Sequence, residues 1–224
     1  MATALITPPE EASLSSVETV ADLVRRLGDI PLYRIRTQPP IGTATENDVV
    51  RHKCCELIDG VIVEKGMGWE ESILEIEIAA LIRNYLQQSC IAVVAGADGY
   101  ARMRPGRVRV PDVGVYLLNR FPTNKAPRVA ICDVAPDWAI EVLSRSNTKK
   151  EMELKRADLF EAGTRLIWIA DPRKRKVEAW TAVDEMDLLT PQDTANLDEI
   201  LPGFTVSIGD WFGQLDRVME SGDS

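Results

Sequence analysis

Ala135-Pro-Asp-Trp-Ala-Ile-Glu-Val-Leu-Ser144 is the stretch on which the fold turns. Trp138 to Leu143 is an apolar strand broken only by Glu141. Successive side chains of a strand point to opposite faces, so Ala139, Glu141 and Leu143 share one face and Trp138, Ile140 and Val142 the other. Both faces are apolar, the pattern of a strand covered on both sides by helices. An ionised carboxylate there is costly unless a charge or a metal compensates it.

Downstream, Thr148-x-x-Glu151 is a capping box opening a helix to about Ala162, with Gly163 placed to end it. Arg165 to Ala170 is the next strand, Asp171-Pro172 turns, and Lys176 to Thr181 pairs back. The tail, from Glu199 through Leu201-Pro-Gly-Phe204 to Phe212, reads as a strand and a short closing segment. Upstream, Val113 to Leu118 is a buried strand, joined to Trp138 by a loop with three prolines. Tyr100–Arg104 and Arg107–Val110 flank a Pro105-Gly106 turn, and Ile91–Ala97 is a further strand. Glu70 to Gln88 is the longest helical stretch, with Ile73, Ile76, Ala80 and Leu81 on one stripe. Cys55 to Glu64 reads as a hairpin whose Asp59-Gly60 makes a type I′ turn. Thr45-x-x-Asp48 opens a brief helix, and Ser15-x-x-Glu18 caps another carrying Val20, Ala21, Val24 and Leu27, with Gly28 as its stop. Residues 1–12 have the composition of a disordered segment. The order of elements predicts an α/β (α+β) fold: one mixed central sheet flanked by helices. Residues 1–42 read as an N-terminal extension with a short amphipathic helix, 43–215 as the folded domain and 216–224 as a tail.

Composition narrows the chemistry. The 224 residues are 45% hydrophobic and 27% charged, enough for a real core. No apolar run reaches the length of a membrane span and the first residues lack a secretory pattern, so a soluble, cytoplasmic protein with no membrane partner is expected. Cys54, Cys55, Cys90 and Cys132 form no CxxC pair and read as small buried hydrophobes. His52 is the sole histidine, which excludes a multi-histidine metal site. Any metal would have oxygen ligands, favouring magnesium or manganese. The net charge of −9 sits awkwardly with phosphate binding, but the basic residues are clustered: Arg102, Arg104, Arg107 and Arg109, then Arg145 to Arg156, then Arg173 to Lys176.

Asp112 is the second acidic residue at the edge of an apolar strand, in Arg109-Val-Pro-Asp-Val-Gly-Val115. Two carboxylates at the ends of neighbouring core strands raise each other's pKa unless a cation lies between them. A hard divalent ion resolves this, and would activate a water beside a phosphoryl group. Lys155, fourteen residues after Glu141 and in the second turn of the next helix, can project to the same strand end. Its ammonium would orient the water and neutralise transition-state charge. The structural alternative is a Glu141 paired with Arg165 on the next strand and a solvated Lys155.

A family resemblance adds to this. Cys55-Glu-Leu-Ile-Asp-Gly-Val-Ile-Val-Glu-Lys65, Arg109-Val-Pro-Asp-Val, the Ala135–Ser144 stretch, Lys155, Glu161-Ala-Gly163, Leu166-Ile-Trp-Ile-Ala-Asp-Pro172 and Leu201-Pro-Gly-Phe204 stand in the order found in Uma-type restriction endonucleases. These belong to the PD-(D/E)XK nuclease superfamily. The likeness runs from about Thr43 to Phe212 and implies a restriction-endonuclease-like core. By the resemblance, Asp112 matches the Asp of the PD motif and Glu141 the acidic residue of (D/E)XK. Leu143 stands where the superfamily lysine would be, and the Uma-type pattern moves that lysine to the following helix, which points to Lys155. Glu71 matches an acidic residue that some members add from their first helix, with Glu56 and Glu75 as competitors. The Val142 carbonyl is the implied extra metal ligand.

Three functions are carried forward. The first is a magnesium- or manganese-dependent DNA endonuclease, as a monomer or homodimer, with Arg102, Arg104, Arg107, Arg109, Lys149 and Lys150 on the phosphate backbone. The second is a catalytically inactive binding or assembly module that keeps the fold. The third is a metal-dependent phosphohydrolase acting on nucleotides.

Overall fold

The computed structural model describes residues 19–219, so the expected Ser15–Glu18 cap and the disordered 1–12 lie outside the described residues. Strand β7 (Trp138–Val142) runs inside a six-stranded sheet, antiparallel to β6 (Val113–Leu117) and parallel to β8 (Leu166–Asp171). The hairpin of β9 (Lys176–Trp180) and β10 (Met186–Leu189) extends one edge, and β3 (Ala92–Ala95) forms the other. A parallel pair needs a crossover, and helix α4 (Lys149–Glu161) supplies it.

The alternation of β7 sorts the molecule into layers. Trp138, Ile140 and Val142 face the main core, with Trp168, Ala170, Val113 and Val115 from neighbouring strands. Helix α3 (Trp69–Leu86) covers this face with Leu74, Ile78, Ile82 and Leu86. The expected stripe through Ile76 and Leu81 is therefore wrong, and Ile76 is 66% exposed. Apolar residues ring this helix, so its sequence leaves the buried face open, and packing against the sheet and the C-terminal helix decides it. On the other face of β7, Ala139 packs with Ile167 and Ile169 against Met152 and Leu159 of α4. Burying each such aliphatic contributes roughly 1.5–3 kcal/mol.

The six-stranded sheet is the expected mixed central sheet, but it does not take in every strand. Strands β2 (Val61–Glu64), β1 (Cys55–Ile58), β5 (Arg107–Arg109) and β4 (Ala101–Arg104) form a separate antiparallel sheet. The chain passes from β5 into β6 through Val110, Pro111 and Asp112. Pro111 has no N–H for a ladder, so pairing breaks there. The β1–β2 turn is the expected one, with positive φ at both Asp59 and Gly60.

Helix α1 (Val20–Arg26) is capped by Thr19, whose side chain accepts from the Asp22 N–H. Leu23, Leu27, Ile30 and Ile35 pack against Ile58, Val61 and Val63, so this segment docks on the second sheet. Gly28 has φ +88°, and a Cβ there would fall 2.6 Å from the Glu151 backbone at the start of α4. At the other end the short closing segment is a full helix, α5 (Ile208–Val218), preceded by the small hairpin β11 (Thr194–Asn196) and β12 (Thr205–Ser207). Gly209 and Gly213 lower its helical propensity, while Ile208, Trp211, Phe212 and Leu215 drive it onto the core. No helix among the described residues is long and apolar enough to cross a membrane.

Candidate active site

The site lies where the two sheets meet. Glu141 points from β7 toward α4, and Lys155 lies on the α4 face that carries Met152 and Leu159. The Lys155 Nζ donates to Glu141 Oε2 at 2.8 Å and to the Val110 carbonyl at 3.1 Å, and stands 2.9 Å from Glu56 Oε1. Glu56, on β1, accepts from the Val110 N–H at 3.0 Å and from Arg109 Nη1 at 2.6 Å. Arg109 donates from Nε to Asp158 on α4 at 2.7 Å, and Arg107 bridges Asp158 at 3.0 Å to Asp59 at 2.5 Å. A buried run of alternating charge thus ties β1, β5, α4 and β7 together.

Asp112 closes the other side. Its Oδ2 accepts from the Val142 N–H at 2.8 Å, which sets it beside the residue following Glu141. Its Oδ1 lies 2.6 Å from the Nζ of Lys65, just past the end of β2. That pair is close enough for Coulomb attraction but lacks hydrogen-bond alignment, and the buried Lys65 Nζ has no hydrogen-bond partner. Glu141 Oε1 is alike: 2.7 Å from Lys155 Nζ, yet without a hydrogen bond. A cleft of about 400 Å³ opens beside them, walled by Lys65, Asp112, Glu75, Ser72, Gly68 and the 75%-exposed Trp69. Lys65 and Trp69 also border an adjoining cleft of about 650 Å³ with Tyr33, Arg145 and Arg173.

The electrostatics divide in the same way. Burial would raise Glu56, but Lys155 and Arg109 outweigh it and hold the carboxyl well below the usual range. Burial would lower Lys155, yet Glu141, Glu56 and Asp112 keep its ammonium above its ordinary value. That single positive charge serves two carboxylates. Glu141, desolvated and repelled by Asp112, is pushed up to about 8. Glu75 on α3 is likewise pushed up to about 8 by burial first, then by Asp112 and Glu71.

Asp112 and Glu75 therefore line the cleft beside the Lys65 ammonium, and Glu141 lies behind them with Asp112 and Lys65 in a narrow interior pocket. The donors are all oxygens, as a hard divalent ion requires. No group of three or more His, Cys, Asp or Glu gathers as a preformed metal cage among the described residues. Magnesium is commonly held by one or two carboxylates and its own waters, so the pair Asp112 and Glu141, with the orphaned Glu141 Oε1, fits it.

A family model described as "Uma2: Putative restriction endonuclease" matches residues 50–209. The chain belongs to the Uma2 family. The crystal structure of a putative nuclease belonging to DUF820 from Anabaena variabilis is similar to it, with a TM-score of 0.64 at 23% identity. The match covers 72% of this chain and 90% of that one, and at this identity it bears on the fold alone. Family and fold are those of a restriction-endonuclease-like protein. No curated protein matches the chain.

In this Uma2 chain Asp112, Glu141 and Lys155 are brought together as the sequence suggested. Arg165 does not partner Glu141; it donates to the Glu199 carbonyl instead. Glu71 folds back over Gly68 at the start of its own helix, filling the space a Cβ there would need. One turn on, Glu75 faces Asp112 across the cleft. The arginine row does not form a single open strip. Arg109 is 1% exposed and Arg107 is buried, both held by carboxylates, because they sit in the seam rather than at a hairpin tip. Arg102 is paired with Glu46 and Asp133, and Arg104 with Asp59 at the part-exposed end. Lys149 and Lys150 stand in solvent at the start of α4, Lys150 2.6 Å from Asp29.

Two site residues differ from the sequence reading, where Glu56 stood only as a competitor to Glu71 and Lys65 had no role. Glu56 interrupts Cys55-Glu-Leu-Ile as Glu141 interrupts its strand, so the same argument reaches it. Lys65 gives no such signal, because a lysine just past a strand end is ordinarily solvated.

Proposed function

We propose that this chain is a divalent-metal-dependent endonuclease hydrolysing DNA phosphodiester bonds, with magnesium or manganese held by Asp112 and Glu141. What carries the reading is the convergence of these buried carboxylates at the cleft edge, one of them kept protonated for want of a second cation. When bound, the cation supplies charge neutralisation at a phosphoryl oxygen and a more acidic water. The Val142 carbonyl is the expected further ligand. Glu75, rather than Glu71, is the helix-borne carboxylate that faces the pair. Lys155 fixes the orientation of Glu141, and the exposed Lys149 and Lys150 with part-exposed Arg102 and Arg104 are the candidates for backbone phosphates. Cutting both strands would use two copies of the site, hence a homodimer.

One observation favours the second reading, an inactive module that keeps the fold: Lys65 and Lys155 already lie within 2.6–2.7 Å of the two carboxylates. Titration calorimetry with manganese on the wild type and on Asp112→Asn, alongside plasmid nicking, separates the two. Wild-type binding and nicking, both lost in the variant, are expected. A wild type that binds no manganese even with DNA present sinks the metal mechanism.

A further inference from the structure

We infer that Lys65 is the catalytic lysine that meets the scissile phosphoryl group, and that Lys155 is a positioning residue for Glu141. The inference rests on the nuclease reading above and assigns its cationic contact. It begins with donor counting. An ammonium has three N–H donors. Around Lys155 Nζ stand three acceptors, Glu141, Glu56 and the Val110 carbonyl, at 2.7–3.1 Å. Two of its donors are bound by Glu141 and the Val110 carbonyl and the third faces Glu56, so turning to a water or a phosphate would release a buried acceptor, which is costly.

Lys65 is the reverse case. Its side chain is 5% exposed, and its Nζ has one near acceptor, Asp112 Oδ1 at 2.6 Å, without hydrogen-bond alignment, against three around Lys155. A buried ammonium with unused donors is expensive in a resting structure unless another group completes it. It borders both outer clefts and the narrow interior pocket that holds Glu141 and Lys155, so it stands between the carboxylates and the open space. Its backbone is fixed: the Lys65 N–H donates to the Cys54 carbonyl at 2.9 Å, and Gly66 is pressed against Ser144 and Ser146 so closely that a Cβ would collide with their hydroxyls. Such a preset donor needs no reorganisation to stabilise charge developing on a phosphoryl oxygen. Arg34 is excluded from this role, because Glu151 holds it bidentately at 2.5 and 2.9 Å.

A lysine that merely balanced Asp112 would be replaceable by the metal itself, and this sets the test. Single-turnover nicking of supercoiled plasmid, manganese calorimetry and thermal melting are compared for the wild type, Lys65→Met and Lys155→Met. In Lys65→Met, cleavage falls about 100-fold or more while manganese affinity is unchanged or tighter, since a competing cation is gone. In Lys155→Met, manganese affinity and cleavage fall together. Cleavage by Lys65→Met within about 3-fold of wild type overturns the assignment and leaves the nuclease reading standing. Loss of manganese binding in step with cleavage in Lys65→Met also overturns it, because the lysine would then act through the metal site. A wild type that does not cut overturns both readings at once. Should Lys65→Met melt out, Lys65→Gln, which keeps a similar stem and a polar head, carries the same expectations.

Discussion

Lys155 divides the site into two regions built from the same residue types and differing in how completely they are matched. Toward the second sheet, Glu56, Arg109, Asp158, Arg107 and Asp59 alternate in sign, and each charged group touches its counter-charge. Arg107 Nε is the one buried polar atom of that run left without a partner. Toward the cleft, Lys65 meets Asp112 without hydrogen-bond alignment, Glu141 has one oxygen bound by Lys155 and the other left over, and the carboxyls of Glu141 and Glu75 are pushed up to about 8. The first arrangement has spent its electrostatic capacity on holding β1, β5 and α4 together. The second holds capacity in reserve, and reserve is what a cation and a phosphate would use.

The largest effect belongs to the matched region. Arg109→Met should cost about 3–5 kcal/mol of stability, because it leaves Glu56 and Asp158 as buried charges without a counter-ion. Urea unfolding followed by tryptophan fluorescence measures it. A loss below about 1 kcal/mol would place this arginine with weakly coupled surface pairs and erase the distinction between the two regions.

The reserve region should show itself through pH. Glu141 and Glu75 have carboxyls raised in the fold from 4.5 to about 8. Between those values the folded protein holds protons that the unfolded chain has released, so the stabilising contribution is complete below about pH 4.5. It is lost as pH rises through the folded value. The metal-free protein should therefore lose stability from about pH 5 to about 8, by about 1.4 kcal/mol per pH unit at most for each group, and level off above that. Saturating manganese should flatten the slope, since the cation takes the proton's place. Melting curves across that range with and without manganese decide the matter, and an unchanged slope in Glu141→Gln would assign the protons elsewhere.

How much of this was legible in the sequence follows from what each residue type advertises. Glu141 declared itself because no apolar strand carries a carboxylate without cause, and the alternation of Trp138 to Leu143 fixed which face it shares with α4. The Asp-Gly hairpin and the Thr148 capping box were readable because turn and cap chemistry is local. The division into two sheets was not, since it depends on β5 pairing with β1 from some fifty residues earlier, and sequence carries no trace of a partner so distant. The face of α3 was ambiguous for a related reason, and with it the choice between Glu71 and Glu75. Arg107 and Arg109 looked like a basic strip because their acidic partners come from Glu56, Asp59 and Asp158, scattered along the chain.

That choice on α3 gives a smaller test. Glu75→Gln should weaken manganese affinity by about 10-fold, the usual cost of removing an outer carboxylate that orients metal ligands. Glu71→Gln, one turn earlier and folded over Gly68, should leave it within error. Equal effects from the two would dissolve the preference for Glu75.

The smallest effect isolates the comparison on a single carboxylate. Asp59 is held from inside by Arg107 at 2.5 Å and from outside by Arg104 at 3.2 Å, the latter pair more than two-fifths exposed on both sides. Water screens the outer contact, so Arg104→Ala should change stability by about 0.5 kcal/mol or less. If Arg104 also meets a backbone phosphate, its removal should lower the slope of log affinity against log salt by about 1, measured on duplex DNA with calcium in place of manganese. Stability unmoved with the slope reduced makes Arg104 a surface contact to DNA. A large loss of stability instead would mean that the matched network extends to the surface, and that the boundary drawn at Asp59 lies further out.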